Sequence, residues 1–177
     1  MQRFKATLAL LALAITPILV LTGITGSQQR HKLEGEVLNK ENNPIPAVLV
    51  RIYRGNIKVG EDRTKPDGKY SISFDSGSPI NTIRYDDTDW NPATINDVSG
   101  ARDHNINKVL SRVGSTLSFH EALELLSALE RIYYIDRANN VPISKIRERY
   151  DGVIYRMRIP EALQQRLQQI RDLYELR

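Results

Sequence analysis

The sequence predicts a small antiparallel β-sandwich followed by an α-helical C-terminal region, with a hydrophobic helix at the extreme N-terminus. Three observations predict it. Between residues 31 and 112, apolar and polar residues alternate with period two, broken by turn residues at intervals of about 8–12 residues. From residue 118 onward the apolar period lengthens to that of a helix. Residues 6–24 carry no charge and follow Arg3 and Lys5.

Composition narrows the function classes. The 177 residues include 25 Lys and Arg against 21 Asp and Glu, and no Cys. The absence of Cys excludes a disulfide framework, a thiol nucleophile and a thiolate zinc site. Residues 1–26 carry +2, 27–114 carry +1 and 115–177 carry +1. Charge spread so evenly leaves no basic stripe, so no nucleic-acid partner is expected.

The N-terminal elements come first. A basic start, an apolar run and the small residues Thr25-Gly26-Ser27 make a secretory signal, with cleavage after Gly26 or Ser27. The alternative is an uncleaved anchor, since the 19 residues from Ala6 to Ile24 are long enough to span a bilayer. Both readings export the rest of the chain, to the periplasm or the cell exterior, and membrane contact is expected only through an uncleaved segment. The expected organisation is therefore 1–27 signal or anchor, 28–114 sandwich and 115–177 helices.

The strands follow in order. Leu33 and Val37 are in phase in the first. Asn42-Asn43-Pro44-Ile45-Pro46 is a turn by composition. Val48, Val50 and Ile52 then share one face, opposite Leu49, Arg51 and Tyr53. Gly55-Asn56 turns the chain before Ile57 and Val59. Lys65-Pro66-Asp67-Gly68 is a strong turn signal, because Pro presets φ and Gly accepts positive φ. Tyr70, Ile72 and Phe74 alternate with polar residues, as do the residues from Ile80 to Tyr85. A last strand is expected over 104–110. Asp97, Arg102 and Asp103 are expected in a polar loop around Ser99-Gly100.

Gly35-x-Val37, then Pro44-Ile45-Pro46-Ala47-Val48-x-Val50, then Thr64 with Asp67-Gly68-x-Tyr70 resembles the carboxypeptidase regulatory-like domain over residues 31–112. That resemblance implies a transthyretin-like sandwich of about seven strands. It also implies a non-catalytic module, usually extracytoplasmic, serving as spacer, stabiliser or binding domain. Later strands depart from the family pattern, reading Tyr85-Asp86-Asp87-Thr88-Asp89-Trp90-Asn91-Pro92 where a Gly-Tyr is usual.

Three helices close the chain. Ser118-Phe119-His120-Glu121 fits a capping box, with Leu123, Leu126, Ala128, Leu129, Ile132 and Tyr133 at helical spacing behind it. Asn139-Asn140 ends that helix. Pro142 opens a second with Ile143, Ile146, Tyr150, Val153, Ile154 and Met157. Gly152 weakens its middle by about 1 kcal/mol relative to Ala. Pro160 opens a third, lined by Leu163, Leu167, Ile170, Leu173 and Tyr174. Helices this short need burial, either on one another or on a partner. An envelope protein is the expected partner, met through helices 118–138 and 160–176.

Chemistry-bearing patterns are sparse. His120-Glu121-Ala122-Leu123-Glu124 opens like a zincin helix but has Glu where the second His is required. His31, His104 and His120 are far apart in sequence. No catalytic residue, metal ligand or cofactor is expected. The best ligand-binding candidates are Asp86, Asp87, Asp89, Trp90 and Asn91. Clustered oxygens suit Ca²⁺, and an indole suits a sugar ring or a protein anchor. Asp87-x-Asp89-x-Asn91 copies the start of an EF-hand loop, but Pro92 stands in place of its Gly and Val98 in place of its closing Glu. The expected function is a non-catalytic, exported structural or interaction module of the cell envelope. The alternative is a Ca²⁺- or glycan-binding module using the 86–91 loop.

Overall fold

A computed structural model describes residues 30–75, 80–98 and 102–176. The signal or anchor expected over residues 1–27 lies outside the described residues. Among the described residues, no helix is long and apolar enough to cross a membrane.

The elements run β1 (Arg30–Leu38), β2 (Leu49–Arg54), β3 (Ile57–Arg63), β4 (Lys69–Asp75), β5 (Thr82–Asp86), β6 (Ala93–Asn96), β7 (His104–Asn105), β8 (Lys108–Val109), α1 (Phe119–Ala138), α2 (Ile143–Arg156) and α3 (Gln164–Leu173). A 3₁₀ turn, Glu161–Leu163, leads into α3. One sheet is built on β1, flanked by β4 on one edge and by β7 and β8 on the other. The second sheet has the order β3-β2-β5-β6, antiparallel throughout. Leu33, Val37, Ile72 and Phe74 from the first sheet meet Val50, Ile52, Ile83 and Tyr85 from the second in one apolar core. The architecture is a β-sandwich followed by helices.

The antiparallel expectation needs one correction. β7 and β8 run parallel to β1, pairing Leu33 with His104 and Val37 with Lys108. Two side-chain anchors, met in ascending order along β1, set this direction. Asp103 Oδ1 accepts the Lys32 N–H at 2.8 Å near the start of β1. Asn107 repeats the device, accepting the Glu36 N–H at 2.9 Å.

The strand expected over 104–110 is split in two at Ile106, whose carbonyl accepts from the Tyr70 hydroxyl at 2.7 Å. A strand over 93–96 was not expected. It extends the second sheet beyond β5, and α1 packs on it.

The turn and core residues of the sequence pattern form one connected group. Thr64 is buried between two segments, its Oγ1 donating to the Ile45 carbonyl at 2.7 Å and accepting from the Val48 N–H at 2.9 Å. The Val37 N–H donates to the Gly68 carbonyl, and the Ile45 N–H donates to the Val37 carbonyl. Gly68 has φ +77°, and a Cβ there would come within 2.8 Å of the Val37 carbonyl oxygen. A side chain is therefore excluded twice, by backbone conformation and by space.

The helices hold a second apolar core. Leu125, Leu126, Leu129 and Ile132 of α1 pack with Ile146, Tyr150 and Ile154 of α2 and with Leu167, Ile170 and Tyr174. The capping box is present at both of its bonds: Glu121 N–H to Ser118 Oγ, and Ser118 N–H to Glu121 Oε2. Lys40 beside it, together with the Ser118 N–H, holds the Glu121 carboxyl down at about 2. Asn140 at φ +58° turns the chain out of α1. One expected core position is corrected: Leu123 stays 40% exposed, while Ala122 and Leu125 fill the inward stripe. Three residues back from Leu126, Leu123 falls on the flank of the stripe that faces solvent.

The helical layer covers the outer face of the second sheet. Arg131 of α1 donates to the Gly55 carbonyl and to Thr82 Oγ1, and Asn139 Nδ2 donates to the Asn56 carbonyl at 2.7 Å. β5 is accordingly buried on both faces, with Ile83 and Tyr85 toward the sandwich core and Thr82 and Arg84 toward the helices.

Candidate functional site

The residues expected to bind a ligand do not converge on one point. Asp86 turns inward, as described below. Asp87 Oδ1 accepts the Asp89 N–H at 2.8 Å, closing a local turn. Trp90 packs against the sandwich core and forms a backbone bridge with Arg112. Asn91 is buried, its Nδ2 donating to Ser111 Oγ at 3.0 Å and to the Arg112 carbonyl at 3.3 Å. The Val113 N–H donates to the Asp89 carbonyl at 2.9 Å. These bonds zip the 86–91 loop onto residues 111–113. Among the described residues, no group of three His, Cys, Asp or Glu side chains could hold a metal ion.

A different cluster lies at the seam between the second sheet and the helices. Arg84 of β5 is fully buried. Its Nη1 lies 2.6 Å from Asp136 Oδ1 of α1, and its Nη2 lies 3.3 Å from Asp136 Oδ2, so the guanidinium grips that carboxylate with both arms. Nη2 also meets the Tyr150 hydroxyl of α2. Nε stands 2.6 Å from Asp86 Oδ2, but its N–H is poorly aligned for a hydrogen bond, so that contact is ionic. Tyr150 Oη donates to Asp86 Oδ1 at 2.6 Å, and Arg51 Nη1 reaches Asp86 Oδ2 at 2.8 Å. Arg149 sits near the rim, 3.7 Å from Asp136 Oδ2 and 6.0 Å from the Tyr150 ring.

Strand geometry dictates this convergence. Alternation along β5 sends Arg84 to the face opposite Ile83 and Tyr85, and along β2 sends Arg51 to the same face as Arg84, its cross-strand partner. One helical turn past Ile132, Asp136 continues the buried face of α1. Tyr150 lies in the buried stripe of α2. Burial alone would depress the Arg84 guanidinium, but Asp86, Tyr150 and Asp136 outweigh it and hold it above its ordinary value.

Beside this network opens a cleft of about 570 Å³ between the β2–β3 side of the sheet and α2. Leu49 and Val153 supply apolar surface, and Arg51, Arg63, Arg149 and Arg156 bring four guanidinium groups. Asp86, Asp87, Glu148 and Asp151 also line it. Sequence reasoning placed Asp86 in a ligand loop and missed Arg84, Asp136 and Tyr150 as partners, because they come from three elements far apart in the chain. The one available signal was an acidic residue four positions past Ile132 on an apolar helix stripe.

Several tyrosine hydroxyls are sequestered around the two cores. Burial raises Tyr53, pushes Tyr70 up to about 12, and raises Tyr85, Tyr150 and Tyr174 further. A folded-state value above the unfolded value of 10.0 means that the native state holds its proton longer. The stability from these groups is therefore complete below pH 10 and falls as pH rises above it. In a 295-nm titration, these five of the eight tyrosines should ionise only within the alkaline unfolding transition. Reversible ionisation of all eight with the far-ultraviolet circular dichroism unchanged would contradict this burial.

No protein-family model matches the chain, and no curated protein matches it. Solved structures are similar in part. A chain of a type II cohesin–X-dockerin complex from Acetivibrio cellulolyticus overlaps 53% of this chain and 70% of its own at 11% identity and a TM-score of 0.41. A streptococcal ancillary pilin overlaps 50% of this chain and 34% of its own, at 10% identity and 0.34. A DUF3823 family protein from Parabacteroides merdae overlaps 48% and 47%, at 17% identity and 0.35.

Proposed function

We propose that this chain is a non-catalytic interaction module of the cell envelope, exported by its N-terminal segment, with a sandwich of the carboxypeptidase regulatory-like kind. The sandwich reading is supported by Gly35, Pro44, Thr64, Gly68 and Tyr70, all of which serve turns and core contacts. The export reading is supported by Arg3 and Lys5 ahead of the uncharged run 6–24. The interaction reading is carried by one observation. Phe119 and Leu123, one turn apart at the start of α1, are 53% and 40% exposed on a helix whose other side is fully used. Such a pair on a capped, rigid helix offers a protein partner an apolar anchor. Leu163, Leu167, Ile170 and Tyr174, the apolar stripe of the third helical segment, are buried in the helical core and leave α1 as the contact.

The test is cross-linking of the tagged full-length chain in its native envelope, followed by mass spectrometry. A discrete partner is expected. Phe119→Ser with Leu123→Ser should reduce its recovery by about tenfold or more, as loss of an anchor does. Equal recovery with the double variant would remove α1 as the contact. Absence of any partner would remove the module reading.

A further inference from the structure

We propose that the helical layer exchanges between two copies of this chain, so that α1, α2 and α3 of each copy dock on the second sheet of the other; this goes beyond the interaction-module reading and does not depend on it. The two units are separable in their cores. Among the described residues, the sandwich core and the helical core share no residue, so each unit buries its own apolar stripes. Directional bonds hold the seam between them. Arg84 grips Asp136 with both arms and meets Tyr150, Arg131 donates to Thr82 Oγ1, and Asn139 Nδ2 donates to the Asn56 carbonyl. A buried guanidinium left without its carboxylate is costly. The surface that satisfies this whole set is the helical layer of this same sequence, from its own chain or from a second copy.

The connection between the two units is short. Up to Val113 the backbone is zipped to the sandwich: the Asn91 N–H donates to the Ser111 carbonyl and the Val113 N–H to the Asp89 carbonyl, both at 2.9 Å. From Thr116 it belongs to the helices: Thr116 bridges Arg158, and the Leu117 N–H donates to the Arg158 carbonyl at 3.2 Å. Gly114 and Ser115 remain as the pivot. Ser115 closes a turn there, its N–H and its hydroxyl both donating to the Arg112 carbonyl, at 3.1 and 2.7 Å. Gly114 carries the reversal at φ +82°. Space does not demand glycine, because the nearest non-neighbouring atom to an added Cβ would be Arg156 Cβ at 3.9 Å. The φ alone demands it, and only while the connection is folded back on its own sandwich. An extended connection removes that demand and carries the helices to a neighbour, where every seam bond re-forms. Short hinges of this kind invite exchange.

The chain has no Cys, so engineered ones report cleanly. Two differently tagged full-length copies are co-expressed, one carrying Asn56→Cys and the other Asn139→Cys, and oxidised in intact cells. Both substitutions on one chain give the positive control for the seam disulfide. A link between the two copies is expected, well above that from Lys65→Cys with Asn139→Cys, since Lys65 is exposed beyond the opposite end of β3 from Asn56. Gly114→Val should disfavour the left-handed turn by about tenfold in each copy. Each dimer relieves two hinges, so the dimer Kd should fall by about a hundredfold, read by light scattering of the purified full-length chain across a dilution series. Inserting Gly-Ser-Gly-Ser after Gly114 relaxes the closed form and should lower the linked fraction by at least about threefold. A link no stronger than the Lys65 control overturns the proposal. So does a Gly114→Val dimer constant equal to the parent's. Where Gly114→Val fails to fold, the insertion decides: a linked fraction that does not fall overturns exchange through this hinge.

Discussion

Replacing Arg84 by alanine should lower the stability of the protein by about 3–5 kcal/mol, the cost of leaving a buried charge without its partner. Total stability for a chain of this size is about 5–15 kcal/mol, so the variant should be largely unfolded at modest urea concentrations. The physical reason is asymmetric. Asp136 is only 6% exposed, and its two oxygens face the two arms of Arg84. Remove the guanidinium, and Asp136 keeps only Arg149 at 3.7 Å. Asp86 fares better, because Arg51 and Tyr150 remain in contact with it. Arg84→Lys should recover little, since an ammonium cannot bridge Asp136, Asp86 and Tyr150 with one planar fork.

A decisive comparison is Arg84→Met with Asp136→Leu. That pair removes the stranded charge along with its partner, so it should lose less stability than Arg84→Ala alone, against the additive expectation. Urea unfolding followed by circular dichroism reads both. If the double variant is the worse of the two, the network is stabilising in its own right. If Arg84→Ala falls within about 0.5 kcal/mol of the parent, as exposed substitutions do, the arginine is not buried as described.

How much of this was legible in the sequence differs by element. Period-two alternation located β2, β4 and β5, and turn chemistry at Pro66-Asp67-Gly68 located the turn that carries the chain from β3 in one sheet to β4 in the other. Ser118 and Glu121 located the start of α1 to the residue. These are local signals, and they survive because each element buries one continuous stripe. The parallel pairing of β7 and β8 was illegible, because two-residue strands have no period and their direction is set by Asp103 and Asn107 reaching another strand. The seam network was illegible for a related reason. An arginine between isoleucine and tyrosine reads as the wet side of a strand, and only the docking of α1 and α2 on that side makes it dry. Leu123 erred the other way, because an apolar residue near a helix stripe carries no mark of which flank a third element will cover.

The second large effect should come from Gly35→Ala, although a methyl group in the middle of a strand is ordinarily harmless. At this position the added Cβ would stand 1.8 Å from the Ile106 carbonyl oxygen and 2.7 Å from the Tyr70 hydroxyl. The carbonyl is backbone and cannot rotate away. It leans over Gly35 because β1 hydrogen-bonds to both β7 and β8 on either side of it, with the Ile106 N–H donating to the Glu34 carbonyl at 2.8 Å. Relief would require β7 and β8 to leave the edge of β1, taking with them the bond from Tyr70 to Ile106 and disturbing the Tyr70–Tyr85 hydroxyl pair at 3.0 Å. Overpacking of this kind costs about 1–3 kcal/mol and sometimes more; loss of the buried bonds adds about 1–3 kcal/mol. Tyr70→Phe separates the two contributions. It keeps the ring and removes the hydroxyl, so it should show the hydrogen-bond part alone, together with faster amide exchange at Ile106 and Lys108. A Gly35→Ala protein as stable as the parent, with that exchange unchanged, would mean that the β7–β8 edge does not sit against β1 as described.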